Sequence, residues 1–385
     1  MPSPSQPTAP LTDAELTRCR DAVGGALLGP GPIILAYSTS IPEEWLLGAS
    51  AALHGAPLVL AGLGRRGWPW WSGGGGKLTG VARALQVINA IAPDAPVVFA
   101  DGGDTIISNR WTRADALSLL GTGAKDVLIG GECNSWPLCY NASYLRVPAY
   151  RDCVASGSPT CYANSGMYLG RPAQLMRFVQ RLRDVMTRLD QRGYRGKLEA
   201  EKGNDQSAVH HAYLESRGVT PWEEQAGLTS SATTIAAGGS SRWRMAVDGE
   251  SAFFLSLYIC GGRRYSMRGR GPHEYCSEAA FDAMPRLSPG GNGTRLAYAT
   301  ASPAPPRQPF LLHANGKHYR LHERPLRPLL RRLRDMTTGV TAKAASHKVV
   351  LVDAVAIGET CGVAGLDRVL RGAKDRTIAA PLAPS

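Results

Sequence analysis

The chain has 385 residues, 44% of them hydrophobic and 19% charged, so it is long enough to bury a substantial core and is not a disordered polyelectrolyte. Its net charge is +12, and it contains no run of about 18 apolar residues, so no transmembrane segment is expected. Residues 301–385 hold 14 basic and 6 acidic side chains, two-thirds of the excess; such a basic stretch fits a polyanion or an acidic membrane surface, and equally a solvated face.

Residues 1–30 read as a leader: a polar, Pro-rich start to residue 12, then a short helix over 13–28 capped by Thr12 or Asp13, broken by Pro30-Gly31-Pro32. Ile33 to Tyr37 is a buried strand ending in Ser38-Thr39-Ser40. Residues 42–54 are helical, opened by Pro42, Glu43 and Glu44. Pro57 to Ala61 is the next strand, followed by a Gly/Trp-rich loop at 62–76. From Lys77 to Ile91, the apolar positions Leu78, Val81, Leu85, Ile88 and Ile91 line one helical face. Val97 to Ala100 is a strand that runs into Asp101-Gly102-Gly103-Asp104. A helix over 112–121 and a strand over 126–130 follow. Strands alternating with helices predict an α/β domain with a largely parallel sheet. Residues 141–163 read as loop, 167–170 as a short strand, 172–192 as an amphipathic helix and 205–216 as a further helix. Strands fall near 252–260. Beyond 323 lie a basic helix and a strand-like VVLVDAVAI, read as a basic C-terminal extension over 323–385.

Eight cysteines include no C-x-x-C pair, which argues against a zinc ribbon or thioredoxin-like site. Cys153 and Cys161 bracket a small polar loop that a disulfide could staple. The tripeptides beginning at Asn141 and Asn292 are glycosylation sequons. An even cysteine count with sequons leans toward a secretory compartment, although the N-terminus shows no basic region followed by an apolar one, so no signal peptide is visible.

Asp101 and Asp104 flank a glycine turn at a strand end, where α/β sheets bind ligands. Two carboxylates so spaced can converge on Mg²⁺ or Mn²⁺; the same residues also suit a plain turn or a helix cap. The run Gly73 to Lys77 opens a helix and fits an anion-binding turn or a flexible linker, but it is not a P-loop, because Lys77 precedes Leu78. Trp68, Trp70 and Trp71 beside it could stack on a base or sugar, or cover the core. His313 follows the apolar Pro309 to Leu312, and imidazole joins carboxylates readily around Mn²⁺. His210-His211 reads as helix surface.

Taken in order, these pieces resemble the glycosyltransferase domain of the procollagen lysyl hydroxylases and related collagen glucosyl- and galactosyltransferases. Ile33 to Thr39 resembles that family's first strand and its nucleotide-contacting threonine. Gly62 to Gly64 and Gly73 to Lys77 resemble its glycine stretches. Val98 to Asp104 resembles its strand ending in a metal-binding D-x-x-D, and Glu132 with Trp136-Pro137 its Glu-x-x-x-Trp-Pro segment. Asn164 to Gly170 is similar to its NSGGFIG strand. Asn204-Asp205-Gln206 resembles the end of its acidic run, Asp248 with Phe253-Phe254 its LDxxxxIFQ segment, and His313 to Gly316 its HGNG motif.

The resemblance covers roughly residues 33 to 320. It implies a GT-A-like Rossmann-type domain over 31–322, with a mostly parallel sheet flanked by helices. It implies a UDP-glucose or UDP-galactose donor and Mn²⁺ held by Asp101, Asp104 and His313. Thr39, Lys77, Trp136 and Gly103 would face the nucleotide, and Asp205 and Asn164 the donor sugar and acceptor. The acceptor would be a hydroxyl on a collagen-like protein or glycan, and the compartment the lumen of the endoplasmic reticulum or Golgi. The sequence departs from the family in places. The acidic run is reduced to Lys202-Gly203-Asn204-Asp205, Gly103 stands where the family often has a tyrosine, and too few residues follow His313 for the hydroxylase domain. Glycosylation without hydroxylation is therefore expected. A non-catalytic relative that binds nucleotide-sugar or glycan is the alternative. A polyanion-binding role for the basic helix ranks below both, since no nucleic-acid motif accompanies the charge and no nucleic acid partner is expected.

Overall fold

A computed structural model describes residues 11–41, 45–64, 75–121, 123–133, 140–158, 160–191, 205–219, 244–257, 286–290, 295–299, 308–314, 323–338, 342–354 and 359–377. Its helices are α1 (Asp13–Val23), α2 (Leu46–His54), α3 (Gly75–Ile91), α4 (Arg113–Leu120), α5 (Asn141–Leu145), α6 (Pro148–Ala155), α7 (Pro172–Gln191), α8 (Asp205–Ser216), α9 (Glu323–Thr338), α10 (Ala342–Ser346) and α11 (Leu366–Thr377). The strands are β1 (Ile33–Tyr37), β2 (Leu58–Ala61), β3 (Val97–Asp101), β4 (Thr105–Ile107), β5 (Val127–Glu132), β6 (Tyr162–Gly170), β7 (Met245–Asp248), β8 (Phe254–Ser256), β9 (Arg286–Gly290), β10 (Arg295–Ala299), β11 (Leu311–His313), β12 (Lys348–Ala354) and β13 (Glu359–Gly365).

Eight strands form one sheet in the order β13-β12-β2-β1-β3-β6-β5-β7. Neighbours β12, β2, β1 and β3 run parallel; β6 is antiparallel to both β3 and β5, and β13 is antiparallel to β12. The expected mostly parallel sheet is present. Both faces are covered, which explains why the strands read as continuous apolar runs. Ile34, Ala36, Leu58, Leu60, Val98 and Leu351 point into one core with α2 and α9. Their neighbours Ile33, Leu35, Val59, Val97, Phe99 and Val350 point into the other with α3, α7 and α8. That strict alternation is the period of two of an extended chain.

From β1 the chain passes through α2 to β2 on one side, then through α3 to β3 on the other. The strand order therefore reverses between β1 and β3, and the carboxyl ends of strands at such a reversal are where open α/β sheets form a ligand crevice. Tyr37 and Asp101 pair at those ends. A separate three-stranded sheet, β4-β11-β8, places β11 antiparallel to β4 with His313 opposite Thr105.

Several boundaries differ from the sequence reading. Residues 323–385 are not an appendage: β12 pairs with β2 as Val349 with Leu58 through Val352 with Ala61, and the buried Leu329, Leu330 and Leu333 of α9 join a core. Arg327, Arg331 and Arg332 of α9 are exposed. The leader is also part of the fold. Thr12 and Glu15 cap α1 reciprocally, and Cys19 forms a disulfide with Cys361 of β13. Helix α2 begins at Leu46, while residues 42–44 lie outside the described residues. The expected loop at 141–163 contains α5, which opens on the sequon Asn141, and α6, with Pro148 in its first turn. Strand β6 begins at Tyr162, not near Met167. The Cys153–Cys161 staple is present.

Deleting residues 323–385 removes β12 and exposes the β2 edge. Far-UV circular dichroism should then show no cooperative thermal transition for the remainder; a truncated chain that still melts sharply would show that the sheet closes without β12. Cys361→Ser should lower stability by about 2–4 kcal/mol under oxidising conditions, read from denaturant midpoints.

Candidate metal centre

Strand β3 delivers Asp101 to the crevice. Gly102 and Gly103 turn the chain, and Asp104 precedes β4. The turn is anchored from below: the buried Trp45 indole donates to the Gly102 carbonyl at 2.8 Å, and the Thr105 hydroxyl donates to the Asp101 carbonyl. From the facing strand, the Ala314 amide donates to the Asp104 carbonyl at 2.8 Å, which fixes His313 beside the turn. His313 Nε2 lies 3.2 Å from Asp104 Oδ1 and 3.7 Å from Asp101 Oδ2. One ligand atom from each of Asp101, Asp104 and His313 falls within 4.8 Å of the others, a group that could hold a metal ion.

Room for the imidazole comes from Gly166 on β6. A Cβ there would sit 2.2 Å from His313 Cε1 and 2.7 Å from Nδ1. No other residue type leaves this space on that face of β6.

Two further predicted residues join the cluster. Lys77, near the start of α3, donates from Nζ to Asp101 Oδ1 at 2.7 Å and to Asp205 Oδ2 at 2.6 Å. Asp205 opens α8, where a carboxylate is favoured by the helix N-terminus. Burial alone would pull the Lys77 ammonium down, but Asp101 and Asp205 outweigh it and hold the pKa well above the ordinary lysine value. Burial pushes the Asp101 carboxyl up; Lys77 and His313 oppose that push and Asp104 and Asp205 add to it, leaving it raised. Burial would lower the His313 pKa, but Asp104 and then Asp101 raise it above the usual imidazole value. The set is thus rich in negative charge, and its donors are hard oxygens with one imidazole. That chemistry fits a divalent cation such as Mn²⁺.

Thr39 is half-buried two residues beyond β1, its carbonyl accepting from Gly64 N–H at 2.9 Å. Gly103 is exposed at the turn. Trp136 lies outside the described residues, as do Trp68, Trp70, Trp71, Gly73, Asn204 and Gly316. Asn164 is in the cluster but is only 2% exposed, with its amide turned to Glu132 and its oxygen to His313. It meets its neighbours and not the solvent side where a sugar would sit.

The sequence reading missed how far the polar network extends. Gln206 donates to Glu132 Oε1 at 2.6 Å and lies 3.0 Å from His210 Nε2, and His210 Nδ1 lies 2.7 Å from the Tyr144 hydroxyl. His210 and His211, expected at the surface, are fully buried. Every residue of α8 from Gln206 to Leu214 is buried, so no polar stripe marked an outer face. The adjacent Asp205-Gln206 pair was the available signal.

No protein-family model matches the chain, and no curated protein is significantly similar to it. Among the described residues, no helix is long and apolar enough to cross a membrane.

Gly166→Ala should push His313 off its seat. Calorimetry with MnCl₂ should show Mn²⁺ affinity at least about tenfold weaker than wild type, because overpacking at a filled site costs roughly 1–3 kcal/mol. Unchanged affinity would show that His313 is not a ligand.

Proposed function

We propose that the protein is a Mn²⁺-dependent glycosyltransferase of GT-A type that moves glucose or galactose from a UDP-sugar to a hydroxyl acceptor. The observation that carries this reading is the convergence of Asp101, Asp104 and His313 beyond the β1/β3 switch point. The sequence resemblance to the glycosyltransferase domain of lysyl hydroxylases supports it and points to a (galactosyl)hydroxylysine-like acceptor. Work in the secretory lumen accords with the Cys19–Cys361 and Cys153–Cys161 disulfides.

Asp101, Asp104 and His313 would hold the cation. When bound, Mn²⁺ supplies charge neutralisation at a departing diphosphate. Lys77 adds a second positive charge, held in place by Asp101 and Asp205, and binds the nucleotide's phosphates. Thr39, past the end of β1, contacts the nucleotide. Asp205 is the carboxylate left outside the ligand set, and its side chain is 22% exposed; it receives the acceptor hydroxyl.

One observation favours a second reading. Asp205 is already engaged by Lys77, and the acidic run is reduced to Lys202-Gly203-Asn204-Asp205, whose one carboxylate is Asp205. A protein that binds nucleotide-sugar without turning it over would tolerate both features.

Release of UDP from UDP-glucose or UDP-galactose should require Mn²⁺ and fall by at least about 100-fold in Asp104→Asn and His313→Ala. Activity intact in both variants would sink the catalytic reading, while UDP binding with no turnover of either donor would select the binding protein. Lys77→Met should separate the two positive charges: UDP affinity should fall about tenfold or more, with Mn²⁺ affinity alone unchanged or tighter, since a competing cation is removed. Equal loss of both would place Lys77 in a purely structural role.

A further inference from the structure

Two backbone amides settle the orientation of the buried polar network behind the metal centre. Gly166 N–H donates to Asn164 Oδ1 at 2.8 Å, so the atom at that position must be the amide oxygen. His313 Nδ1 lies 3.1 Å from the same oxygen and therefore carries a proton. In the neutral ring, Nε2 is left with its lone pair facing the carboxylates of Asp104 and Asp101, an arrangement that a cation between them would complete. Ser165 N–H likewise donates to Gln206 Oε1 at 2.6 Å, which fixes that amide as well.

Both amides then turn their NH₂ groups toward one residue. Asn164 Nδ2 donates to Glu132 Oε2 at 3.0 Å, and Gln206 Nε2 donates to Glu132 Oε1 at 2.6 Å. Glu132 must accept at both ends, which an ionised carboxylate does and an amide cannot. It is 4% exposed, so water does not stand in for a lost partner. The local backbone serves this placement. The β5–β6 register shifts between Ile129 and Gly131, and Gly131 packs so close to the Thr160 carbonyl that a Cβ would lie 2.1 Å from it. A bulge of this kind re-aims the following side chain, here Glu132.

We infer that Glu132, acting through Asn164, is the positioning residue that presents His313 Nε2 to the metal. The inference rests on the metal reading above. It assigns Asn164 to holding a ligand, not to holding the sugar, and gives Glu132 a role that requires no contact with substrate.

The test is a polarity swap read by calorimetric titration with MnCl₂. Glu132→Gln turns one amide NH₂ against another and should weaken Mn²⁺ binding by about 10–100-fold, the usual scale for a lost partner behind a metal ligand. In Glu132→Gln/Asn164→Asp, the introduced carboxylate at position 164 accepts from Gly166, from His313 and from the introduced amide at position 132. That amide in turn accepts from Gln206, so every pairing is restored and net charge is unchanged. The swap should recover most of the lost affinity, which a merely structural role for Glu132 would not produce. In Zn²⁺-loaded wild type, ¹⁵N NMR should show the His313 proton on Nδ1. Wild type that binds Mn²⁺ alongside an unchanged Glu132→Gln, or a swap no tighter than Glu132→Gln, overturns the inference alone. Wild type that binds no Mn²⁺ overturns the metal reading and the inference together. Where Glu132→Gln does not fold, the swap is compared with wild type: binding within about tenfold supports the inference, and a larger loss overturns it.

Discussion

Asp101, Asp104 and Asp205 bring like charges together in one half-buried place, and each is answered by a polar partner. Lys77 spans Asp101 and Asp205, and His313 sits against Asp104. Each of these partners arrives from a different element: the start of α3, the start of α8, the end of β3 and the end of β11. The site is therefore a product of the whole topology. The order reversal between β1 and β3 puts Asp101 at the switch point, and the small β4-β11-β8 sheet brings His313 beside Asp104. Removing water from such charges is costly unless each is paired, so the polar contacts here specify geometry more than they add stability.

That dependence explains what the sequence could reveal. Strands β1, β2, β3 and β5 were legible because burial on both faces writes an unbroken apolar run. Helices α3 and α7 were legible from their one-sided apolar faces. The group that could hold a metal ion was legible in type and rough position, since Asp101-Gly102-Gly103-Asp104 follows β3 and His313 ends β11. Long-range pairing was not. Nothing local marks Val349 as the neighbour of Leu58, and the arginines of α9 suggested a separate basic segment when its leucines were already committed to the core. Likewise Glu132, Gln206 and His210 lie far apart in sequence, and only the packing of α8 on β6 joins them.

Charge shows the same separation of scales. The +12 is a sum over the whole sequence, whereas the group formed by Asp101, Asp104 and His313 is acidic. Salt screens charges more than about 10 Å away, so the local partners Lys77, Asp205 and His313 define the field at this group more than the sum does.

The placement of β12 has a consequence for how the chain comes into being. A ribosome releases the segment bearing β1, β2 and β3 long before it releases residues 348–354, so the open flank of β2 must wait for its partner. Throughout that interval the nascent chain presents the unpaired polar backbone of Leu58 to Ala61 in an apolar strand, the kind of surface that recruits chaperones or other copies of itself. Cys19 waits over the same interval, because its partner Cys361 emerges later still. Completion of the β2 flank and oxidation of Cys19 thus both wait until residues 348–361 have been made.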